Sequence, residues 1–368
     1  MIYLVCFGIS ALFAHIANKC REKPLIVLFS ILSIAVTVIL AGLRDYTIGI
    51  DVRNYMDYDI YWHGALRKDS LEAYLRMYSK WDSEYLFALY IGSIAQFTGS
   101  YRLFLFLTHL VIVSGVYIGA YRQRRHVNPA LVLLLFYLFF YNHSLNIMRQ
   151  YMAMAIVFAA LADVQQKKYF RYVVVVAIAT FIHTSALMAI GPMVIYIMLN
   201  QDQFQHISKR RKFLVLTALL GVLVLFVPLC EILMRIGILS SHFSYYLNSE
   251  EATPTTIVSS LIVIELLGVY IFKKYFKRKT KYADFFLMCT FAYLTLQQLS
   301  SVVNYGKRIA AYFSFINILT IAVLSGCTKK TDNKIIINTV IIALALLYWW
   351  YMYVLRNASQ TYPYLLGV

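Results

Sequence analysis

An all-α, polytopic membrane protein with about twelve transmembrane helices is the fold class this sequence predicts, on three observations. The composition is 61% apolar and 14% charged over 368 residues, where a soluble domain carries about 25% charge. Apolar runs that approach the roughly 20 residues needed to cross a bilayer recur along the whole chain. Basic residues gather in alternate loops between those runs. No stretch is left over for a soluble domain, so residues 1–368 read as a single integral membrane domain.

The first run, Ile2 to Asn18, has no basic stretch before it and is followed by Lys19, Arg21 and Lys23. That order predicts an uncleaved first helix with its N-terminus outside, rather than a signal peptide. Further apolar segments cover 24–43, 101–121, 128–143, 148–164, 170–183, 184–199, 213–231, 257–272, 282–301, 309–326 and 335–355. Residues 84–98 are apolar but short, and counting them as a crossing would move Arg122, Arg124 and Arg125 outside. They are read as a re-entrant or interfacial helix, since non-spanning backbone at membrane depth is tolerated where it lines a protein cavity. The 170–183 and 184–199 segments are also short, and predict either tilted helices or a hairpin that stops short.

With the N-terminus outside, the cytoplasmic loops are 19–23, 122–127, 165–169, 200–212, 273–281 and 327–334. With their flanking residues they hold 22 of the 34 basic residues. This is the positive-inside bias, and it suits an anionic inner leaflet. The net charge of +17 is therefore a topological signal, and no nucleic-acid partner is expected. The five cysteines are scattered without ligand spacing and read as small apolar side chains.

The longest polar stretch, 44–83, falls outside in this topology and mixes Tyr and Trp with Asp and Arg. Aromatic residues settle at membrane interfaces; the same mixture also suits sugars, whose hydroxyls meet carboxylates and whose C–H faces meet rings. Both readings stand. Charge at membrane depth is costly, at least ~2.5–3.5 kcal/mol at the bilayer centre, so ionisable groups at helix ends are site candidates. Arg44 and Asp51 follow the second segment, and Glu84 opens the 84–98 helix. Asn146, Arg149 and Gln150 share one face at the start of the fifth segment, by their i, i+3, i+4 spacing. His183 lies at the junction of the two short segments, and Lys307, Arg308 and Tyr312 open the eleventh. The charge-derived topology places all of them on the outer side, which predicts one outward-facing site.

Several arginines with one or two carboxylates suit an anionic phosphate, because the guanidinium fork binds phosphate oxygens bidentately. No GxxxxGK[ST] loop is present for a nucleotide-driven pump, and no HExxH or His/Cys cluster for zinc. No metal or other cofactor is expected.

Ordered pieces of the chain resemble the EpsG family, which belongs with the Wzy-type polymerases of O-antigen, capsule and exopolysaccharide. They are A41-G-L-R44-D45 with G49-I-D51-V-R-N-Y55, then Glu84, R149-Q150-Y-M-A153, and A179-T-F-I-H183-T-S185-A186. R308-I-A-A-Y312-F and the closing T361-Y362-P363-Y364 complete the set. The resemblance implies transfer of a growing glycan from undecaprenyl diphosphate to the terminal sugar of a new repeat unit, outside a bacterial plasma membrane. On that reading Arg44, Arg149 and Arg308 bind the diphosphate, and Asp51, Glu84 and His183 are candidates for the base. Tyr55, Asn146, Gln150 and Tyr312 line the substrate. Implied partners are the lipid-linked oligosaccharide, membrane lipids and a chain-length regulator protein. A membrane O-acyltransferase and a lipid-linked sugar transporter or flippase are the alternative readings.

Overall fold

The computed structural model describes residues 1–58, 60–200, 232, 255–299, 306–328 and 331–367. Among the described residues the regular structure is helical, with one isolated β-bridge between Arg44 and Leu366. Five helices are long and apolar enough to cross a membrane: Ile2–Lys19, Lys23–Gly42, Tyr101–Arg122, Lys307–Leu324 and Asp332–Leu355. Five shorter apolar helices accompany them: Tyr85–Thr98, Pro129–Ser144, Tyr169–Thr180, Thr184–Asn200 and Ile257–Ile271. The chain is a multi-pass membrane protein. Among the described residues these ten helices do not by themselves fix the count at the twelve expected; the 213–231 segment lies outside the described residues.

Helices α1 (Ile2–Lys19) and α2 (Lys23–Gly42) form the first pair. Between helices in lipid, hydrogen bonds and close backbone approach replace the hydrophobic drive. Ser10 Oγ donates to the Ser33 carbonyl (2.6 Å) and Ser33 Oγ to the Ser10 carbonyl (2.8 Å). The Tyr137 hydroxyl joins Ser10 at 2.8 Å.

The polar 44–83 stretch, expected as an extracytoplasmic loop, contains α3 (Ile50–Asp57), α4 (Trp62–Arg67) and α5 (Leu71–Tyr78). Ser70 caps α5 by accepting from the Ala73 amide (3.2 Å), and Glu72 pairs with Arg76 one turn on. Each helix is too short to show a periodicity in sequence, and each is held by tertiary contacts. Buried Tyr55, Trp62, Tyr74 and Tyr78 make those contacts.

Next comes α6 (Tyr85–Thr98), closed by Gly99 in the left-handed conformation at φ 61°. At 1.5 Å per residue its 14 residues extend about 21 Å, short of the ~30 Å hydrocarbon core. Helix α7 (Tyr101–Arg122) starts at the Ser100 cap and packs on α9 (Met148–Gln165). Its Gly115 and Gly119, four apart, form the small-residue face that lets membrane helices approach. A Cβ on Gly115 would come within 2.7 Å of the Ala155 carbonyl oxygen. At the far end of this pair Arg122 holds Asp163 bidentately, at 2.6 and 3.2 Å. Between them α8 (Pro129–Phe136) runs into a π-helical turn, Tyr137–Tyr141.

The 170–199 stretch is a hairpin of α10 (Tyr169–Thr180), a 3-10 turn (Thr184–Ala189) and α11 (Ile190–Asn200). The 12 residues of α10 reach about 18 Å, so it too stops short of a full span. The Tyr172 hydroxyl ties the arms together by donating to the Ala189 carbonyl (2.9 Å). Beyond lie α12 (Thr255–Ile271), α13 (Lys273–Lys279), α14 (Ala283–Leu299), α15 (Gly306–Leu324) and α16 (Thr331–Trp349).

The C-terminal residues then cross back to the start of the chain. Tyr3 donates to the Thr361 carbonyl (2.7 Å), and Asn142 to the Thr361 hydroxyl (3.0 Å). Tyr364 donates to the Leu40 carbonyl (2.9 Å). Backbone bonds from Asp45 to Leu365, Gly49 to Gln360 and Gly367 to Leu43 fasten the tail along residues 43–49.

Candidate active site

Four elements that are distant in sequence meet around Arg149. The residue opens α9, and burial leaves its side chain 11% exposed. A buried guanidinium requires partners for its charge and its N–H groups. Arg149 Nη1 donates to Glu84 Oε2 (2.7 Å) and to Asp82 Oδ2 (3.0 Å), while Nε donates to the Tyr55 hydroxyl (3.1 Å). Tyr61, Phe87 and Tyr55 surround the cation with their rings, at 5.3, 5.4 and 5.6 Å from ring centroid to guanidinium carbon. Nη2 is the part of the fork that these partners leave over.

Glu84 sits at the N-cap of α6 without capping it; its carboxylate turns inward. Oε1 accepts from His183 Nδ1 (2.7 Å) and from the Thr184 amide (3.0 Å). Burial alone would raise the Glu84 pKa, but Arg149, His183 and the Thr184 amide outweigh it and hold the value down to about 2. The carboxylate is therefore ionised at neutral pH and can only accept. It follows that the His183 proton facing it is on Nδ1, which leaves Nε2 with a lone pair in the neutral ring. His183 is 7% exposed, and Nε2 has no hydrogen-bond partner among the described residues.

Asp82 and Glu84 reach the same guanidinium because the backbone turns sharply before α6. Asp82 Oδ1 accepts from the Ser83 amide (2.7 Å) and the Glu84 amide (3.3 Å), an aspartate turn that aims Oδ2 at Arg149. The Tyr78 hydroxyl donates to that same Oδ2 (3.1 Å).

Helix α15 joins through two bonds. Gln150 Nε2 donates to the Arg308 carbonyl (3.3 Å), and the Tyr312 hydroxyl meets Ser185 Oγ at 3.1 Å. The starts of α9 and α15 and the hairpin tip are thus mutually linked. Asn146 accepts the Asp51 amide (2.7 Å) and so stitches α3 to the entry of α9. The Asp51 carboxylate acts electrostatically on the Tyr55 hydroxyl, whose pKa burial already raises.

Of the residues singled out in sequence, the structure therefore brings together Glu84, Arg149, His183 and Tyr55 directly. Gln150 and the Arg308 backbone are bonded to each other, Tyr312 is bonded to Ser185 beside the hairpin tip, and Asn146 and Asp51 are joined through α3. Arg44, expected to bind diphosphate, lies in a different set of contacts. It is fully buried, and it donates to the Ala41 carbonyl (2.9 Å), the Leu145 carbonyl (3.0 Å) and Met148 Sδ (3.4 Å). These bonds tie α2 to the turn before α9, and Arg44 Nε has no hydrogen-bond partner among the described residues. Sequence reasoning missed Asp82, although two acids two residues apart before an apolar helix are a visible signal. It also missed the second and third rings around Arg149, Tyr61 and Phe87. Among the described residues no group of three His, Cys, Asp or Glu side chains is arranged to hold a metal.

A helical multi-pass membrane protein with an Arg–Glu–His cluster at its helix ends is the class these features define. The chain belongs to the EpsG family: the family model matches residues 27–366, nearly the whole chain. EpsG is a Wzy-type polysaccharide polymerase-like family. No curated protein and no solved structure matches the chain significantly.

Proposed function

We propose that the protein polymerises lipid-linked oligosaccharide repeat units. It transfers the growing glycan from undecaprenyl diphosphate to the terminal sugar of a new repeat unit on the outer face of the bacterial plasma membrane. The observation that carries this reading is the Glu84–His183 pair with an unpartnered Nε2, in a chain of a polymerase-like family.

In the proposed step the acceptor sugar hydroxyl gives its proton to His183 Nε2 while its oxygen bonds to the donor's anomeric carbon. The bond from that carbon to the diphosphate oxygen breaks, and undecaprenyl diphosphate leaves with the electron pair. Glu84 fixes the tautomer and stabilises the imidazolium that forms, as a carboxylate behind a catalytic histidine does. At a pKa of about 2, Glu84 itself is a weak base, which favours His183 over Glu84 among the sequence candidates. Arg149 holds Glu84 ionised and offers Nη2 to the leaving group. Its charge already faces two carboxylates, so Arg308, partly exposed at the start of α15, is assigned the larger share of diphosphate binding. A diphosphate is a good leaving group, and developing charge met by fixed donors needs no general acid.

Glycan length analysis in a deletion strain tests the reading. Single repeat units in place of polymer, restored to full length by the wild-type gene and not by a His183→Gln variant, are expected. Full-length polymer lacking a substituent would indicate an acyltransferase, and loss of single units from the outer leaflet a transporter.

A further inference from the structure

A second polar site lies at mid-membrane depth, on α12, which the active site does not use, and on α15, which it uses only at its start. Glu265 is ten residues into α12, about 15 Å from its start, and Asn317 eleven residues into α15. Both are 7% exposed, and both line one cavity of about 50 Å3. Asn317 hydrogen-bonds the Glu265 carboxylate. Glu265 Oε1 and Asn317 Oδ1 nonetheless have no partner among the described residues. The bond therefore runs from the Asn317 amide nitrogen to Glu265 Oε2, and two buried acceptor oxygens are left on residues that line the cavity.

The rest of the wall repeats that chemistry. Ser314, one turn before Asn317, and Tyr293 and Tyr348 add hydroxyl oxygens. The π-helical turn after α8 brings Phe139 and Phe140 to the apolar side, and π-turns in membrane helices often mark functional positions. No Lys, Arg or His is among the described lining residues. An uncompensated carboxylate at this depth is strongly disfavoured. Protonating Glu265 is the competing way to neutralise it, and the pH comparison below distinguishes the two. A bound cation meets both oxygens at once.

We infer that Glu265 and Asn317 form an intramembrane binding site for a monovalent inorganic cation. All-oxygen ligation selects a hard ion, and a single carboxylate balances one positive charge rather than two. A single water needs only ~10–15 Å3 of such space, so the cavity accommodates a dehydrated ion with water beside it. The inference does not depend on the polymerase reading, because binding alone is measured.

Thermal unfolding of the purified protein in nanodiscs would be compared in NaCl, KCl and N-methyl-D-glucamine chloride at equal ionic strength. A saturable rise in Tm with Na+ or K+, absent with the organic cation, is expected; Glu265→Gln and Asn317→Leu should abolish it. Identical Tm values in the three salts overturn the inference, as does an ion-dependent shift that survives both substitutions. A Tm that moves with pH alone would assign a proton to Glu265 and overturn it as well. Equilibrium dialysis of the wild-type protein with radioactive Na+ or Rb+ gives a readout free of any folding defect in the variants. About one bound ion per chain supports the site, and none refutes it.

Discussion

Arg149 Nη1 lies 2.7 Å from Glu84 Oε2, across 65 positions of sequence. The same carboxylate carries His183 on its other oxygen, 99 positions away. One side chain of α6 therefore orders a cation from α9 and an imidazole from the hairpin tip, and each of the three has a distinguishable role.

His183→Gln keeps a donor toward Glu84 and removes the lone pair at Nε2. Chain extension is expected to fall by about 10²–10⁴-fold, the usual worth of a positioned general base. The protein should still elute as a monodisperse species in detergent. A wild-type glycan ladder from this variant would exclude His183 as the base.

Glu84→Gln should cost nearly as much activity and should also change the acid stability. Because folding lowers the Glu84 pKa from 4.5 to about 2, its stabilisation is present above pH ~4.5. It is lost as pH falls toward 2, and amounts to on the order of 3 kcal/mol. The variant's unfolding midpoint should therefore be lower at neutral pH and flatter between pH 5 and 2, by about that margin. Parallel pH curves for both proteins would refute the buried-pair account.

Arg149→Lys and Arg308→Lys retain charge and lose the planar fork. Both variants are expected to insert and to lose most polymer, read as glycan length in a complemented deletion strain. For Arg149 the lysine cannot reach Glu84 and Tyr55 together, so its loss should be the greater. Normal chain length from both would reduce these arginines to helix-end anchors.

Arg44→Met has a different expected outcome. It orphans the Ala41 and Leu145 carbonyls, at roughly 1–3 kcal/mol each for buried groups. The defect should show first as lower yield and Tm, with polymer lost in proportion to folded protein. Full stability with selective loss of polymerisation would restore Arg44 to the substrate site.

The orientation is tested by single cysteines. A cysteine at position 278, in the basic helix α13, should resist an impermeant thiol reagent, and one at position 69, in the 44–83 stretch, should react. Labelling at 278 from outside would invert the topology and move the proposed site to the cytoplasmic face.

Much of this arrangement was legible in the sequence because membrane proteins restrict where charge can sit. Arg149, Glu84, His183 and Arg308 stood out as ionisable groups at the ends of apolar segments, and the charge bias put them on one side. What sequence could not convey was burial. Arg44, just past the end of α2, and Arg308, in the first turn of α15, are the same residue type at the ends of apolar segments, and the burial of Arg44 against the turn before α9 shows only in the structure. The helices of 44–83 were hidden for a related reason: eight residues or fewer carry no period, and aromatic burial alone stabilises them. Asp82 was hidden by its neighbour, since its role depends on a turn that Glu84 completes.

The tail contact has a consequence for the order of assembly. Residues 43–49 leave the ribosome early, but their backbone partners, residues 360–367, arrive more than 300 positions later, as the 324-residue separation of Tyr364 and Leu40 indicates. The platform that leads into α3, and through Tyr55 supports Arg149, is therefore completed only after residues 360–367 have been made. A nascent chain halted short of the tail would hold every residue of the Arg149 cluster and still lack the clasp that seats its first helix. The later-made segment acts as the lock on the first polar segment, which ties the seating of α3 to residues synthesised more than 300 positions downstream.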